Sequence, residues 1–277
     1  MRIRRYTGLT IVLVLVCTVI SCCAHLCERA GTLPVSPEED VKRAIETLAA
    51  GQNDLHNFKA RARFSIESPD LERRQSFRGN LAVEMPDKVR LVSNGAFGRK
   101  LFDLISVGKT FLLYYPSEQK VFFEKEGVEV ESLPFSVSPS DIVKELFLPE
   151  DWACMRFEDV KVVSPGGRRM VIAVYSDGRL TRKLWVQRPR WWLVRDELYA
   201  EDGTLRALTV FERYREIGGM WLPTHLEAHY PQRETRMVMQ ISNVEVNSQL
   251  DPAMFVFPTK LLLMAERQRR ESDAQNR

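Results

Sequence analysis

Residues 204–246, which read TLRALTVFERYREIGGMWLPTHLEAHYPQRETRMVMQISNVEV, decide the fold class. Apolar and polar side chains alternate there as in strands with one buried face. The alternating stretches are Thr204–Glu216, Trp221–Tyr230 and Thr235–Val246. Gly218 and Gly219 supply a tight turn between the first two stretches. Short turns between successive strands predict antiparallel pairing.

The same alternation recurs through most of the chain. The other strand-like stretches are Phe58–Glu67, Phe77–Met85, Lys88–Val92, Lys100–Ile105, Thr110–Tyr115, Lys120–Glu124, Met155–Val163, Arg168–Tyr175, Arg182–Gln187 and Trp191–Tyr199. Turn signals such as Asn94-Gly95 and Asp202-Gly203 separate them, and no Ser/Gly-rich linker divides them. We therefore expect one strongly curved, mainly antiparallel sheet of about eleven strands.

Helices are expected to cover this sheet. The first begins at Pro37, which Ser36 caps, and ends at Gly51. Its apolar face consists of Val41, Ala44, Ile45 and Leu48. A second helix is expected from Asp141 to about Phe147.

The residues after Thr259 are rich in arginine and glutamine and are expected to form a basic helical or frayed tail. Arg188, Arg190, Arg267, Arg269 and Arg270 are most simply solvated. Contact of the tail arginines with anionic headgroups is the alternative.

Several strands carry apolar side chains on both faces, among them Phe111–Tyr115 and Met170–Tyr175. Strands covered on both sides have such sequences. Two interpretations follow from this pattern. Either helices cover one face of a sheet with a packed interior, or a bent sheet encloses an apolar cavity on its concave face.

The N-terminus has the pattern of a secretory signal. Arg2, Arg4 and Arg5 precede an apolar run over Leu9–Ile20, which is too short to span a membrane. Val19-Ile20-Ser21-Cys22 then resembles the lipobox of bacterial lipoproteins, in which the cysteine becomes the acylated N-terminus. An ordinary cleaved signal with an incidental cysteine is the alternative.

Removal of residues 1–21 changes the charge balance. The full chain has 40 basic and 37 acidic residues, and the signal carries three of the arginines and no acid. The mature chain is therefore close to neutral, which excludes the basic footprint of a nucleic-acid-binding protein. Cys23 and Cys27 lie in the tether, and Cys154 most simply is a buried free thiol, so no disulfide framework is predicted.

Enzyme motifs are scarce, since neither a G-x-S-x-G elbow nor an H-E-x-x-H helix occurs. His225, Glu227 and His229 alternate along a predicted strand and so point to one face, where they could bind zinc or iron. A polar solvent-facing surface is the simpler interpretation. We predict no catalytic residues, no cofactor and no metal.

Three segments of the first half carry a family resemblance: Asn57–Phe64, Lys88–Gly98 and Leu101–Leu104. They resemble the outer-membrane lipoprotein receptors of the LolA/LolB superfamily, in which a strand ends in Asn-Pro-Leu-Gly and an apolar loop residue protrudes. Here Asn94 is followed by Gly95-Ala96-Phe97-Gly98. The second half is similar more broadly to LolA-type carriers through Leu184–Val186, Trp221–Pro223 and Phe255–Pro258.

The resemblance implies an incomplete, half-open β-barrel covered by helices, with an apolar cavity for acyl chains. It also implies that Phe97 is a membrane-inserting loop residue, although a side chain folded back on the sheet is the alternative. Cavity candidates lie in apolar strand positions: Phe64, Leu81, Val83, Leu91, Leu104, Leu113, Val174, Trp185, Val210, Met237, Met239 and Ile241. Each of them suits a packed core equally well.

The expected organisation is a signal peptide over 1–21, a lipidated tether over 22–36, a lipid-binding domain over 37–258 and the tail over 259–277. The leading hypothesis is a protein anchored through Cys22 to the outer membrane and facing the periplasm. It would bind acylated lipoproteins or lipids, with a soluble periplasmic carrier as a further partner, and help to localise them. The alternatives are a lipid- or lipoprotein-sensing module of the same fold and, last, a metalloenzyme.

Overall fold

The computed structural model describes residues 37–69, 71–125, 159–164 and 167–275. The chain divides into two compact units, residues 1–40 and 41–277, and all the strands belong to the second. Several predictions fall outside the described residues: the signal, the tether, Cys22, Cys23, Cys27, the helix at 141–147 and Cys154.

Two helices and thirteen strands make up the described fold. The helices are α1 (Pro37–Asp54) and α2 (Thr259–Gln275). The strands are β1 (Asn57–Glu67), β2 (Gln75–Glu84), β3 (Lys88–Asn94), β4 (Lys100–Val107), β5 (Thr110–Tyr115), β6 (Lys120–Glu124), β7 (Val160–Ser164), β8 (Arg169–Ser176), β9 (Arg179–Gln187), β10 (Trp192–Tyr199), β11 (Leu205–Ile217), β12 (Met220–Tyr230) and β13 (Thr235–Val246).

All thirteen strands form one antiparallel sheet in the order β6-β5-β4-β3-β2-β1-β13-β12-β11-β10-β9-β8-β7. Within β1 to β6, and again within β7 to β13, each strand pairs with the strand that precedes or follows it in sequence. The pairing of β1 with β13 joins these two halves of the sheet. The expectation of a single curved, mainly antiparallel sheet is confirmed. The sheet is larger than the expected eleven strands because every alternating stretch pairs into it.

The two faces of the sheet have different environments. On β1, the buried residues Phe58, Ala60, Ala62, Phe64 and Ile66 alternate with polar ones, which are more exposed except for Ser65. Their side chains belong to the main apolar core, together with Val41, Ala44 and Ile45 of α1. We call this side, which α1 covers, the inner face. The apolar stripe predicted for the first helix is therefore buried as expected.

Helix α2 packs on the opposite side, which we call the outer face. Leu112 of β5, Val121 of β6 and Leu261 of α2 are buried together in a second, smaller apolar cluster. Gln268 accepts a hydrogen bond from the backbone N–H of Val121, at 3.0 Å. The C-terminal segment is thus a packed helix, which explains the apolar side chains on both faces of β5.

Asn247, directly after β13, ties the end of α1 to the sheet. Its side-chain oxygen accepts a hydrogen bond from the N–H of His56 at 2.8 Å, and its amide donates to the carbonyl oxygen of Asp54 at 2.7 Å. Its own N–H donates to the carbonyl oxygen of Asn57. Helix α1 therefore runs three residues past Gly51, where the sequence predicted its end, because a contact from a distant strand sets its terminus.

Candidate functional site

A cavity of about 440 Å³ lies between α1 and the inner face of the sheet. Leu48 and Leu55 line it from the helical side, and Phe58, Leu226 and Met239 line it from the strands. Its walls are mostly hydrocarbon, and its volume is within the roughly 300–1,000 Å³ of small-molecule sites. The inner face therefore encloses an apolar space beside its packed core.

Aromatic rings and one cation form part of the cavity wall near the start of β10. Trp192 stacks on Tyr214 with ring centroids 4.7 Å apart, and it lies 5.1 Å from the ring of Trp221. The guanidinium carbon of Arg190 lies 3.9 Å from the centre of the Trp221 ring. Arg190 is exposed, as expected from the sequence, but its charge is held against the aromatic wall of the cavity.

The turn before β10 directs neighbouring aromatic side chains to different places. Trp191 adopts the left-handed conformation with φ 56°, which is uncommon for a residue with a Cβ. Its side chain is buried in the main core, whereas Trp192 belongs to the stack beside Arg190. The cluster of Arg190, Trp191 and Trp192 was the sequence signal for this part of the site, and sequence reasoning did not use it.

The polar group of Tyr214 is already occupied inside the structure. Its hydroxyl donates a hydrogen bond to the carbonyl oxygen of Leu193 at 2.6 Å. Burial raises the pKa of this phenol well above its usual value, so it stays protonated at neutral pH. Tyr214 therefore contributes a neutral, hydrogen-bonded ring to the wall.

The structure brings only part of the predicted cavity set to this space. Met239 and Ile241 line the cavity. The predicted residues that belong to the main core or pack against it are Phe64, Leu81, Val83, Leu91, Leu104, Leu113, Val174 and Met237.

Trp185 and Val210 lie on the outer face. Trp185 alternates with the core residues Leu184 and Val186, and its ring lies 4.8 Å from the guanidinium carbon of Arg195. Val210 pairs with Glu227 across β11 and β12. Neither side chain lines the cavity described above.

Phe97 lies in the turn between β3 and β4. The turn is closed by a hydrogen bond from the N–H of Gly95 to the carbonyl oxygen of Arg99, at 2.8 Å. The backbone of Phe97 is left-handed, with φ 59°, and its side chain is fully exposed, at 107% of the reference area. The alternative of a side chain folded back on the sheet is therefore wrong.

His225, Glu227 and His229 lie on the outer face of β12, as the alternation predicted. The carboxylate of Glu227 receives two hydrogen bonds from Arg236, at 2.9 and 2.8 Å, and contacts the ring of His229 at 2.5 Å. His225 lies 3.8 Å from Glu212 instead. Among the described residues, no three carboxylate, histidine or cysteine side chains are placed to hold a metal ion.

Glu227 gives the outer face a pH-dependent ion pair. Hydrogen bonding to Arg236, and less strongly to His229, lowers the pKa of Glu227 below its usual 4.5. A lowered folded-state pKa stabilises the fold above the unfolded value, and this stabilisation is lost as the pH falls through the folded value. We expect Glu227→Gln to reduce the fall in Tm below pH 4.5 while costing at most about 1 kcal/mol at neutral pH.

The measurement is a series of thermal unfolding curves between neutral and acidic pH. Glu201→Gln is the matched control, because Glu201 is almost fully exposed and its oxygen lies 3.9 Å from Arg179. Identical acid profiles for wild type and Glu227→Gln would contradict the assignment.

The fold is shared with three solved structures of low sequence identity. A DUF1329 family protein from Desulfovibrio piger matches with a TM-score of 0.57 and 15% identity, over 78% of this chain and 97% of its own. An outer membrane lipoprotein-sorting protein domain from Vibrio parahaemolyticus matches with a TM-score of 0.50 and 12% identity, over 80% and 99%. A LolA superfamily protein from Nitrosomonas europaea gives 0.50 and 14%, over 78% and 97%.

These likenesses define the class of fold. It is the LolA-type fold, a single curved antiparallel sheet with covering helices, and the resemblance predicted from the sequence is confirmed at this level. One family model, described as an uncharacterized protein, matches residues 179–257. No curated protein matches the chain in sequence. Among the described residues, no helix is both long and apolar enough to cross a membrane.

Proposed function

We propose that this chain is a lipid-anchored protein that faces the periplasm and shelters acyl chains of lipoproteins or lipids in the inner-face cavity. It thereby helps to localise them to the outer membrane. The observation that carries the proposal is the apolar cavity of about 440 Å³ under α1, within a LolA-type fold. Cys22 is the proposed acylation site and residues 22–36 the proposed tether.

The cavity matches an acyl chain in chemistry. Each methylene group removed from water contributes roughly 0.8 kcal/mol, so a long chain needs an apolar container to cross an aqueous compartment. Leu48, Leu226 and Met239 provide hydrocarbon contacts inside it, and the thioether of Met239 adapts to chains of varied shape. Arg190 in the lining supplies guanidinium donors to which the carbonyl oxygens at the polar end of an inserted chain can hydrogen-bond.

The cavity volume suggests a capacity of one long chain. The cavity has room for about fifteen groups of the size of a water molecule, at roughly 30 Å³ each. This number is comparable to the number of carbon atoms in one common acyl chain. A cargo with several chains would require α1 to move away from the sheet. Because shelter requires no covalent change, the proposed function is binding and transfer without catalysis.

Phe97 is the proposed point of contact with the bilayer. A fully exposed aromatic ring on a turn suits the interfacial region of a membrane, where aromatic side chains are favoured. Phe97 lies just after the C-terminal end of β3, whereas the cavity-lining Met85 lies just before its N-terminal end. The two lie about 20 Å apart along the strand. Phe97 would therefore hold the protein at the surface without closing the cavity.

Protein purified without detergent is expected to carry acyl species that mass spectrometry detects after extraction. In a transfer assay, labelled lipoprotein would move from a soluble carrier to membranes that hold this protein. Phe97→Glu is expected to slow the transfer at least tenfold while leaving the bound acyl species unchanged, because burying a charge at the interface is unfavourable.

Leu263→Glu is the matched control, because Leu263 is also an exposed apolar side chain, at 61%, but lies on α2. Acyl binding without any transfer by the wild type would favour the sensing module. The absence of bound acyl species would refute both functions.

A further inference from the structure

Five arginines share a groove on the outer face at the centre of the sheet. The groove has a volume of about 510 Å³. The arginines come from β1, β2 and β11: Arg61, Arg63, Arg78, Arg213 and Arg215. All five side chains are exposed, and the rest of the lining includes the neutral polar residues Asn80, Asn94, Gln240 and Ser242. No carboxylate lines this groove.

None of these arginines forms an ion pair or a side-chain hydrogen bond within the described part of the chain. Their basic neighbours on the same face do have acidic partners. Lys59 lies 2.8 Å from Glu245, and Arg236 binds Glu227. The nearby carboxylate of Asp103 is already bound by Arg90 and Lys100. The missing acids are therefore a local property of the groove.

The strand register places two of these cations directly opposite each other. Arg63 of β1 pairs with Arg78 of β2, and Arg61 lies two residues earlier on the same face of β1. Like charges directly opposite across a strand pair destabilise a sheet. The arrangement is therefore unfavourable in the isolated protein, and a bound anion would relieve it.

The arginines suit phosphate groups in particular. A guanidinium presents a planar fork of donors that binds phosphate oxygens in pairs, and it is less strongly hydrated than an ammonium group. The asparagine, glutamine and serine side chains of the lining add neutral donors. The groove thus combines charge with the hydrogen-bonding groups that a phosphate ester accepts from.

The position of the groove points to a membrane surface as the source of the phosphate. Asn94 belongs to its lining and begins the turn that carries the fully exposed Phe97. An exposed aromatic ring beside a basic groove is the pairing expected of a surface that meets acyl chains and headgroups together. An acidic protein segment would explain the charge but not the neighbouring aromatic ring.

We propose that the outer-face groove binds the phosphate groups of anionic lipid headgroups and holds this face of the sheet against the bilayer. The inference deepens the proposed function by adding a headgroup site to the Phe97 contact. It does not depend on cargo in the inner cavity. The tail arginines of α2, which the sequence offered for headgroups, lie outside this groove.

The test uses a soluble form of residues 23–277, which retains every described helix and strand and lacks the acylation site. Its binding to phosphatidylcholine vesicles with and without phosphatidylglycerol is measured by flotation. We expect binding only to the anionic vesicles, and we expect it to weaken with added salt. The triple variant Arg63→Gln, Arg78→Gln, Arg213→Gln is expected to bind roughly a hundredfold more weakly.

The matched control is Arg267→Gln, Arg269→Gln, Arg270→Gln, which removes the same charge from exposed positions of α2. It is expected to bind like the wild type. Equal loss in both triple variants would overturn the site in favour of a general charge effect. Thermal unfolding of each variant separates loss of binding from loss of folding. The control variant is expected to match the wild type, and the groove variant is expected to be at least as stable because it removes the repulsion between Arg63 and Arg78.

Two further measurements distinguish lipid headgroups from other anions as the ligand of the groove. Inorganic phosphate at constant ionic strength is expected to compete only weakly, since a single phosphate cannot span the groove. Saturable binding of polyglutamate that the groove variant loses, with vesicle binding unchanged, would overturn the proposal in favour of an acidic protein partner. Leu48→Trp, which fills the inner cavity, is expected to keep full vesicle binding, so a failure of the cargo function is recognised separately.

Discussion

Asp196→Ala is expected to lower the free energy of unfolding by about 3–5 kcal/mol. Asp196 of β10 and Arg182 of β9 form an ion pair in which each side chain is only 8% exposed. Two hydrogen bonds join them, one from Nε of Arg182 to Oδ1 of Asp196 at 2.7 Å. Removal of the carboxylate takes a negative charge and two hydrogen bonds away from a buried guanidinium, which is the costly case for such pairs.

Urea denaturation with a two-state fit measures the change. Glu201→Ala is the matched control, because it breaks the exposed pair with Arg179 and is expected to cost less than about 1 kcal/mol. The double variant Arg182→Met, Asp196→Leu is expected to recover much of the loss, since apolar replacement of a whole buried pair is often tolerated. A loss of under 1 kcal/mol for Asp196→Ala would show that the pair is solvated.

Leu48→Trp is expected to weaken acyl-chain binding at least tenfold. Leu48 lines the cavity from α1, and the larger indole occupies space that the chain would fill. Exclusion of even two methylene groups removes about 1.6 kcal/mol of hydrophobic stabilisation, which exceeds a factor of ten in affinity. Titration with a fluorescent fatty-acid analogue gives the dissociation constants.

Leu263→Trp on the exposed side of α2 is the control with the same change of side chain. Inserting a larger side chain into a well-packed core lowers the free energy of unfolding by about 1–3 kcal/mol. Thermal unfolding of each variant is therefore measured in parallel. Ile241→Trp fills the same cavity from the sheet and provides a second variant. Wild-type affinity in both folded variants would refute the cavity as the binding site.

Much of the fold was accessible from the sequence because alternation reports strands directly. The turn dipeptides Asn94-Gly95 and Asp202-Gly203 separate strands in the structure as predicted. Alternation gives the two faces of a strand, but not which of them is inner. For β9 and β11 this choice depends on neighbours distant in sequence, so alternation alone cannot separate Trp185 and Val210 from residues that line the cavity.

The place of Tyr214 in the aromatic wall was inaccessible for a different reason. Arg213 of β11 is left-handed, with φ 54°, a conformation that the sequence gives no reason to expect of arginine. Before it, Val210 lies on the outer face, opposite Glu227. After it, Tyr214 lines the inner cavity and Arg215 lines the outer groove. Even-numbered residues of β11 therefore face outward before Arg213 and inward after it. A prediction that assumes regular alternation along the whole strand places Tyr214 on the wrong face.

The outer-face groove was also inaccessible from the sequence alone. Arg61, Arg63 and Arg78 are visible in the sequence as polar positions of β1 and β2, where they suggest only a solvated face. They form a candidate anion site only because the strand register brings them together and because no carboxylate lines the groove in the folded chain. Neither property is contained in the local sequence.

The amide of Asn247 resists opening of the inner-face cavity at the C-terminal end of α1. Lifting the C-terminal end of α1 would break its hydrogen bonds to His56 and Asp54, and each typically contributes about 1 kcal/mol. Towards its start the helix is held by packing instead, since Val41, Ala44 and Ile45 are buried in the main core. Widening the space for a bulkier guest therefore has to overcome hydrogen bonds at one end of the helix and apolar contacts further back.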